Sequence, residues 1–181
     1  MRWLAVALML MVLTAGATAA DIPAEGPVFA GISLPDHLGA AHDLAAEAPS
    51  ALVMLFRVDD RVSAKEWDDG LRLRLAGHRL VPVIDASDIA PGDRPKLIEK
   101  ATAKAEGKVL FLLDWDGEVR KRVRAHGLDP GARGVVIAGV RADGALAGTL
   151  AGEPDAANRT KALGWLGIVP KPPLIDAGDG P

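Results

Sequence analysis

The segment Ala51–Val58 (Ala-Leu-Val-Met-Leu-Phe-Arg-Val) constrains this chain more than any other. It has the length of one strand, and its apolar residues run on without alternating with polar ones. Such a strand is covered on both faces, the position of an inner strand in a parallel or mixed sheet. Helices must then cover both faces, so the fold class is α/β. The following residues supply that pattern. Ser63 is placed to cap a helix that carries Trp67, Leu71 and Leu75 at four-residue spacing and ends at Gly77. Arg79–Asp85 reads as a second strand. Its Pro82 has no N–H for the ladder, which predicts an edge position or a local irregularity. Asp93 then caps a helix with Pro95 in its first turn and Leu97, Ile98, Ala101 and Ala105 on one face. Lys108–Leu113 is a further apolar strand, closed by Asp114-Trp-Asp-Gly117. A short helix turns Val119 and Val123 inward and stops at Gly127.

Hairpins stand at both ends of this array. Val28–Leu34 and the stretch around His42–Leu44 flank the turn-rich Pro35–Gly39. Gly134–Val140 and Ala145–Leu150 are joined through Asp143-Gly144, a strong signal for a tight antiparallel turn. Asp155 caps a last helix through Leu163 and Leu166. No internal repeat and no second domain are visible, so residues 21–168 form one domain. Residues 169–181, rich in Pro and Gly, are expected to be a disordered tail.

Residues 1–20 have the layout of a secretory signal peptide. Met1-Arg2 is a short positive start, Trp3–Leu13 is wholly apolar, and the small residues Thr14–Ala20 end in an A-x-A-like pattern before Asp21. The apolar stretch falls short of the roughly 20 residues a spanning helix needs. A retained anchor is the alternative; the small residues and the acidic, proline-bearing start at Asp21, Pro23 and Pro27 favour cleavage. The mature protein is expected to be periplasmic or secreted, with no later membrane span.

Cysteine is absent from all 181 residues. That excludes a disulfide framework, a reactive thiol and a thiolate metal site. Without residues 1–20 the chain carries 20 basic against 24 acidic residues, with no basic stripe and no tyrosine. A nucleic-acid partner is not expected of such a surface.

The order hairpin, strand–helix–strand–helix, strand–helix, hairpin and closing helix resembles the thioredoxin-like superfamily. It is most similar to the exported thiol–disulfide and peroxiredoxin-related branch. Leu34-Pro-Asp-His-Leu-Gly-Ala-Ala-His-Asp-Leu44 looks like that branch's opening hairpin, L-x-D-x-x-G-x-x-x-x-L. Leu52–Glu66 falls where relatives carry a strand, a Phe-Trp-Ala-x-Trp stretch, Cys-x-x-Cys and a helix. Phe111–Val119, Gly127-Leu128 and Val135–Gly148 together resemble the pattern L-D-x-x-G-x-V … G-L … strand-x-D-G-x-strand-G of small periplasmic relatives of the YtfJ type. The resemblance spans nearly the whole chain after residue 20 and rests on the order and spacing of these motifs. It implies a thioredoxin-like three-layer sandwich, a mixed central sheet flanked by helices, with an N-terminal hairpin.

The departures are chemical. The family's two cysteines fall at about Arg61 and Ala64, neither of which can form a thiolate or a mixed disulfide. Peroxidase chemistry is lost with them. The family's cis-proline should lie near Arg133–Val135, where the chain reads Ala132-Arg-Gly-Val135; Pro130 is about four residues too early. The resemblance therefore implies a redox-inactive binding or accessory protein of the cell envelope, with no catalytic residue, no metal and no cofactor. Its partner would be an envelope protein, a peptide or a small ligand. The candidate binding residues, on the former redox surface, are Asp59, Asp60, Arg61, Ser63, Arg133 and Trp115.

Other constellations remain open at this level. A strand ending in Asp114-Trp-Asp116-Gly is the first motif of haloacid-dehalogenase-type, Mg²⁺-dependent phosphohydrolases, with Asp114 as nucleophile and Asp116 as acid/base. Only about 60 residues follow, without that family's later acidic pair; the plainer reading is a turn and helix cap. Asp59, Asp60, Asp85 and Asp88 end two strands and could form a cation site, or be loop acids and caps paired with Arg61. His37 and His42 could meet across a turn, while His78 and His126 stand alone. Ser50, Ser63 and Ser87 lack a nucleophile-elbow context. Trp67 and Trp165 read as core or boundary packers, and Trp115 as the tryptophan expected to be exposed. Arg120–Arg124 reads as a solvated helix face or a dock for an acidic partner.

Overall fold

The computed structural model describes residues 26–105, 109–126 and 134–169. The residues read as a signal peptide (1–20), those of the expected tail from residue 170 onward and Arg133 lie outside them. Ala51–Arg57 forms β3, the middle strand of a five-stranded sheet. It pairs in parallel with β4 (Arg79–Asp85) and antiparallel with β6 (Val136–Val140), with Leu55 opposite Val136. Beyond β4 lies β5 (Leu112–Asp114), parallel; beyond β6 lies β7 (Leu146–Ala151), antiparallel. The order is β5-β4-β3-β6-β7, the mixed sheet expected. A separate antiparallel hairpin, β1 (Ser33–Pro35) and β2 (Ala41–Asp43), meets the outer side of the sheet through a bridge from Asp36 to Leu112.

The run Ala51–Phe56 is buried throughout because its two faces feed two different cores. Ala51, Val53 and Leu55 pack with Phe29, Leu34, Val83 and Leu112, closed by α1 (Leu44–Glu47) and by Val119 and Val123 of α4 (Glu118–Ala125). Leu52, Met54 and Phe56 pack with Trp67 and Leu71 of α2 (Arg61–Arg72), Leu97 and Ala101 of α3 (Arg94–Ala105), and Leu163 of α5 (Ala156–Trp165). Helix, sheet and helix are the three layers. Each large side chain taken fully out of water contributes about 1.5–3 kcal/mol, so neither layer can be spared.

Several local expectations are corrected. Val28–Ile32 is not strand but a pair of turns, with Ala30 N–H donating to Pro27 O at 3.0 Å and Gly31 at φ +74°. Val28, Phe29 and Ile32 are nonetheless buried, so their pattern reported burial and not extension. Ser63 does not cap α2. The chain enters through a 3-10 turn at Val58–Asp60 that leaves Arg61 already helical, and Ser63 is the third residue of the helix. Helix α2 stops at Arg72; Leu75 is buried in the turn beyond it, which Gly77 closes at φ +93°. In α3, Ile98 is 37 % exposed and lies at the rim of the buried face.

Strand β4 is not at an edge of the sheet. It has neighbours on both sides only from Val83 to Asp85, however, and Pro82 sits where β3 alone flanks it. Strand β5 is accordingly shorter than Lys108–Leu113: the Phe111 carbonyl accepts from His37 N–H at 3.1 Å instead of joining the ladder. Lys108 and Gly127 lie outside the described residues. Asp155 caps α5 as expected, its carboxylate accepting Asn158 N–H at 2.7 Å. The Asp143-Gly144 turn joins β6 to β7 with Gly144 at φ +81°.

Two long-range anchors fix the closing elements. Trp67 Nε1 donates to Gly152 O at 3.1 Å, tying α2 to the end of β7. Trp165 lies flat on the cross-strand pair Gly139–Gly148, so close that a Cβ on either glycine would overlap its side chain.

Candidate functional site

Parallel strands deliver their carboxyl ends to one side of a sheet, where α/β folds usually bind ligands. Here β3, β4 and β5 end in Arg57, Asp85 and Asp114, and the start of β6 joins them because Val136 lies opposite Leu55. The candidate residues Asp59, Asp60, Arg61 and Ser63 follow β3 directly. Asp59 and Arg61 are exposed, and Asp60 and Ser63 half-buried. Arg61 folds back on the turn, its Nη1 donating to Val58 O at 3.5 Å. Val62, beside them in the first turn of α2, is 66 % exposed, whereas Ala64 is buried. No side chain caps α2, which is entered directly from the 3-10 turn at Val58–Asp60. Beside the end of β3, Gly134 (φ +115°) and buried Val135 lead into β6, and Val135 O accepts Gly152 N–H at 3.2 Å.

The neighbouring strand ends form a second, more enclosed group. Asp85 Oδ1 accepts Ser87 Oγ–H at 2.7 Å and Ser87 N–H at 3.2 Å. Its Oδ2 is paired with the Arg120 guanidinium from α4. Arg120 is therefore not part of a solvated face, since its side chain is only 14 % exposed. Lys121 pairs with Glu118 and Arg122 reaches Ala30 O, so the basic run of α4 is largely engaged within the molecule. Asp114, fully buried, accepts Glu118 N–H and Val119 N–H at 2.9 Å each. Burial pushes its carboxyl above the usual range; the two N–H groups offset part of this, and nearby Asp85 and Glu118 add to it. Arg57 reaches across to Asp88 at 3.1 Å.

Trp115 is half-buried rather than exposed. Arg94 stacks on it with Cζ 4.8 Å from the ring centroid. It stands two strands away from the end of β3, so the structure does not join Trp115 to Asp59–Ser63. Asp85, Ser87 and Arg120 were missed as a group. Nothing in the sequence signals that an arginine of α4 reaches a carboxylate at the end of β4.

These contacts decide between the open readings. Both oxygens of Asp114 cap α4, and β5 is an outer strand; nothing in the geometry supports a phosphohydrolase centre at Asp114 and Asp116. Asp85 and Asp88 are each ion-paired to an arginine, so the four acids do not converge. His37 and His42 do not meet: His37 Nδ1 lies 3.4 Å from Phe111 N, while His42 lies between Asp36 and Glu47. Among the described residues no three His, Cys, Asp or Glu side chains are grouped to hold a metal ion.

Five-stranded mixed sheet, helices on both faces, and a hairpin before the central strand define a thioredoxin-like fold, here without a cysteine. Solved structures of that fold superpose on it. DsbF of Mycobacterium tuberculosis matches with a TM-score of 0.53 at 14% identity, covering 78% of this chain and 99% of its own. The exposed lipoprotein thioredoxin Etrx1 of Streptococcus pneumoniae gives 0.52 at 13%, covering 74% and 97%. Yeast Sco1 gives 0.52 at 14%, covering 81% and 100%. At these identities the likeness is one of fold. No protein-family model and no curated protein matches the sequence.

Proposed function

We propose that this redox-inactive thioredoxin-like chain is an exported binding or accessory protein of the cell envelope. Its binding surface is the one formed by Asp59, Asp60, Arg61 and Ser63; Arg133, a further candidate from the sequence, lies outside the described residues. The observation that carries the reading is Val62. It stands exposed among Asp59–Ser63, at the carboxyl end of the central strand, the side of the sheet where α/β folds usually bind ligands. Trp115, half-buried under Arg94 and two strands away from β3, is left out of this surface. Export rests on the leader-like residues 1–20; one structural neighbour is itself an exposed lipoprotein.

Affinity capture from native envelope extract tests the binding surface. A specific partner should be retained by the wild-type chain and lost with Val62→Asp or with Arg61→Ala/Arg133→Ala. Capture that survives both variants would place the partner elsewhere. Sequencing the amino terminus of the fractionated protein tests export, with Asp21 expected as the first residue.

A further inference from the structure

At the opposite end of β4 from this surface, one histidine is held between two carboxylates. His42 Nε2 lies 3.0 Å from Asp36 Oδ2, and His42 Nδ1 lies 3.1 Å from Glu47 Oε1. A carboxylate only accepts, and a neutral imidazole has one N–H and one lone pair. A neutral ring placed here would turn a lone pair toward one of the two oxygens; only the imidazolium satisfies both.

The two carboxylates are not equivalent. Asp36 is 5 % exposed, and its Oδ1 accepts Leu38 N–H and Ala40 N–H at 2.8 and 2.9 Å, which builds the turn between β1 and β2. Glu47 is 22 % exposed, and its second oxygen holds Arg79 Nη2 at 2.7 Å. The adjacent Asp43 turns away to cap α1 through Ala45 N–H, and His37 faces Phe111. The charged groups facing His42 are thus Asp36 from the hairpin and Glu47 from α1, with Arg79 of β4 behind Glu47.

We propose that a proton latches the hairpin to α1. With His42 charged, Asp36, His42, Glu47 and Arg79 form one continuous chain from the hairpin turn to β4. With His42 neutral, its remaining N–H stays on Asp36 while Glu47 leaves the ring and keeps Arg79. The preference follows from burial. Asp36 losing a donor has little water to replace it, whereas Glu47 reaches solvent. The released proton passes to solvent, and the β2–α1 junction loosens while the five-stranded sheet does not. The bonds to Asp36 and then Glu47 raise the histidine above its ordinary range against the opposing effect of burial, so the step lies on the alkaline side of that range.

The test is an NMR titration of His42 in the full chain, with amide exchange followed at Leu44, whose N–H donates to Ile32 O, and at Ala45. The neutral ring should be the Nε2–H tautomer. Protection at Leu44 and Ala45 should fall as His42 loses its proton, by at most about tenfold for each pH unit by which His42 is raised, with no change in β3. Glu47→Gln supplies an amide N–H that a neutral ring can accept. It should return His42 toward its ordinary range and abolish the fall in protection. Protection indifferent to the charge of His42, a neutral Nδ1–H tautomer, or a Glu47→Gln chain that loosens like the wild type would each overturn the proposal.

Discussion

Asp85 and Asp114 stand opposite one another in the β4–β5 ladder, both buried, and each is satisfied by a different device. Asp85 has Arg120 and Ser87; Asp114 has two backbone N–H groups of α4. Removing one partner of a buried ion pair leaves a charge out of water without compensation. Arg120→Met should therefore destabilise the protein by about 3 kcal/mol in urea unfolding, and adding Asp85→Asn should recover part of it. If the single variant is as stable as the parent, the pair carries no weight. Asp114→Ala orphans two N–H groups at the start of α4 and should cost about 1–2 kcal/mol. The sign of its pH dependence is unusual for an aspartate. Burial raises its folded-state titration above that of the unfolded chain, so its contribution is full below the unfolded value and is lost as pH rises through the folded one. Asp114→Asn should remove that decline from the stability profile. At this scale the sequence was half legible. Asp114 and Asp155 read correctly as caps because capping is local, whereas Arg120 was misread because its partner lies in another element.

Among the elements, the contact between α5 and the β6–β7 hairpin is the most exacting. Trp165 rests on a window of two glycines, and a methyl group at Gly148 would meet the indole. Gly148→Ala should destabilise by about 1–3 kcal/mol through overpacking, and Trp165→Leu in the same chain should relieve most of that penalty. Thermal unfolding of the two single variants and the double variant decides this; additive losses would mean that the ring simply moves aside. The glycine ending the resembled pattern thus has a physical reason, which the linear sequence did not disclose. Element type was legible wherever a long apolar period existed, as in α2, α3 and β3. It failed at Val28–Ile32 and Lys108–Leu113, short apolar runs whose burial comes from tertiary packing.

For the molecule as a whole, the central strand and the order of motifs were sufficient to give the layers and the mixed sheet. The proposed surface was legible only in part, since Asp59–Ser63 cluster at the end of β3 but Trp115 does not join them. If α2 begins as it does in redox-active proteins of this fold, the missing chemistry should be restorable. Arg61 is exposed and Ala64 buried, one helical turn apart at the start of α2. Arg61→Cys/Ala64→Cys should close an intramolecular disulfide on oxidation, read as a mass loss of about two daltons and protection from alkylation. A pair that stays reduced or cross-links between chains would show that the helix start has diverged along with its residues.

The register shift in the outer hairpin bears on how such chains behave in each other's company. Gly139 faces Gly148 but Val140 faces Leu146, so Ala147 is an extra residue in the outermost strand. Leu146–Ala151 has no charge and no proline, the composition most prone to recruit another strand, and the sheet ends there. The added residue kinks it, so a straight strand from a neighbour cannot match its donors and acceptors along the full length. On the other side of the sheet, Asp36 lies across Leu112 and shields β5. With no cysteine to form a disulfide, the irregularity of one rim and the cover on the other are the features that work against templated pairing.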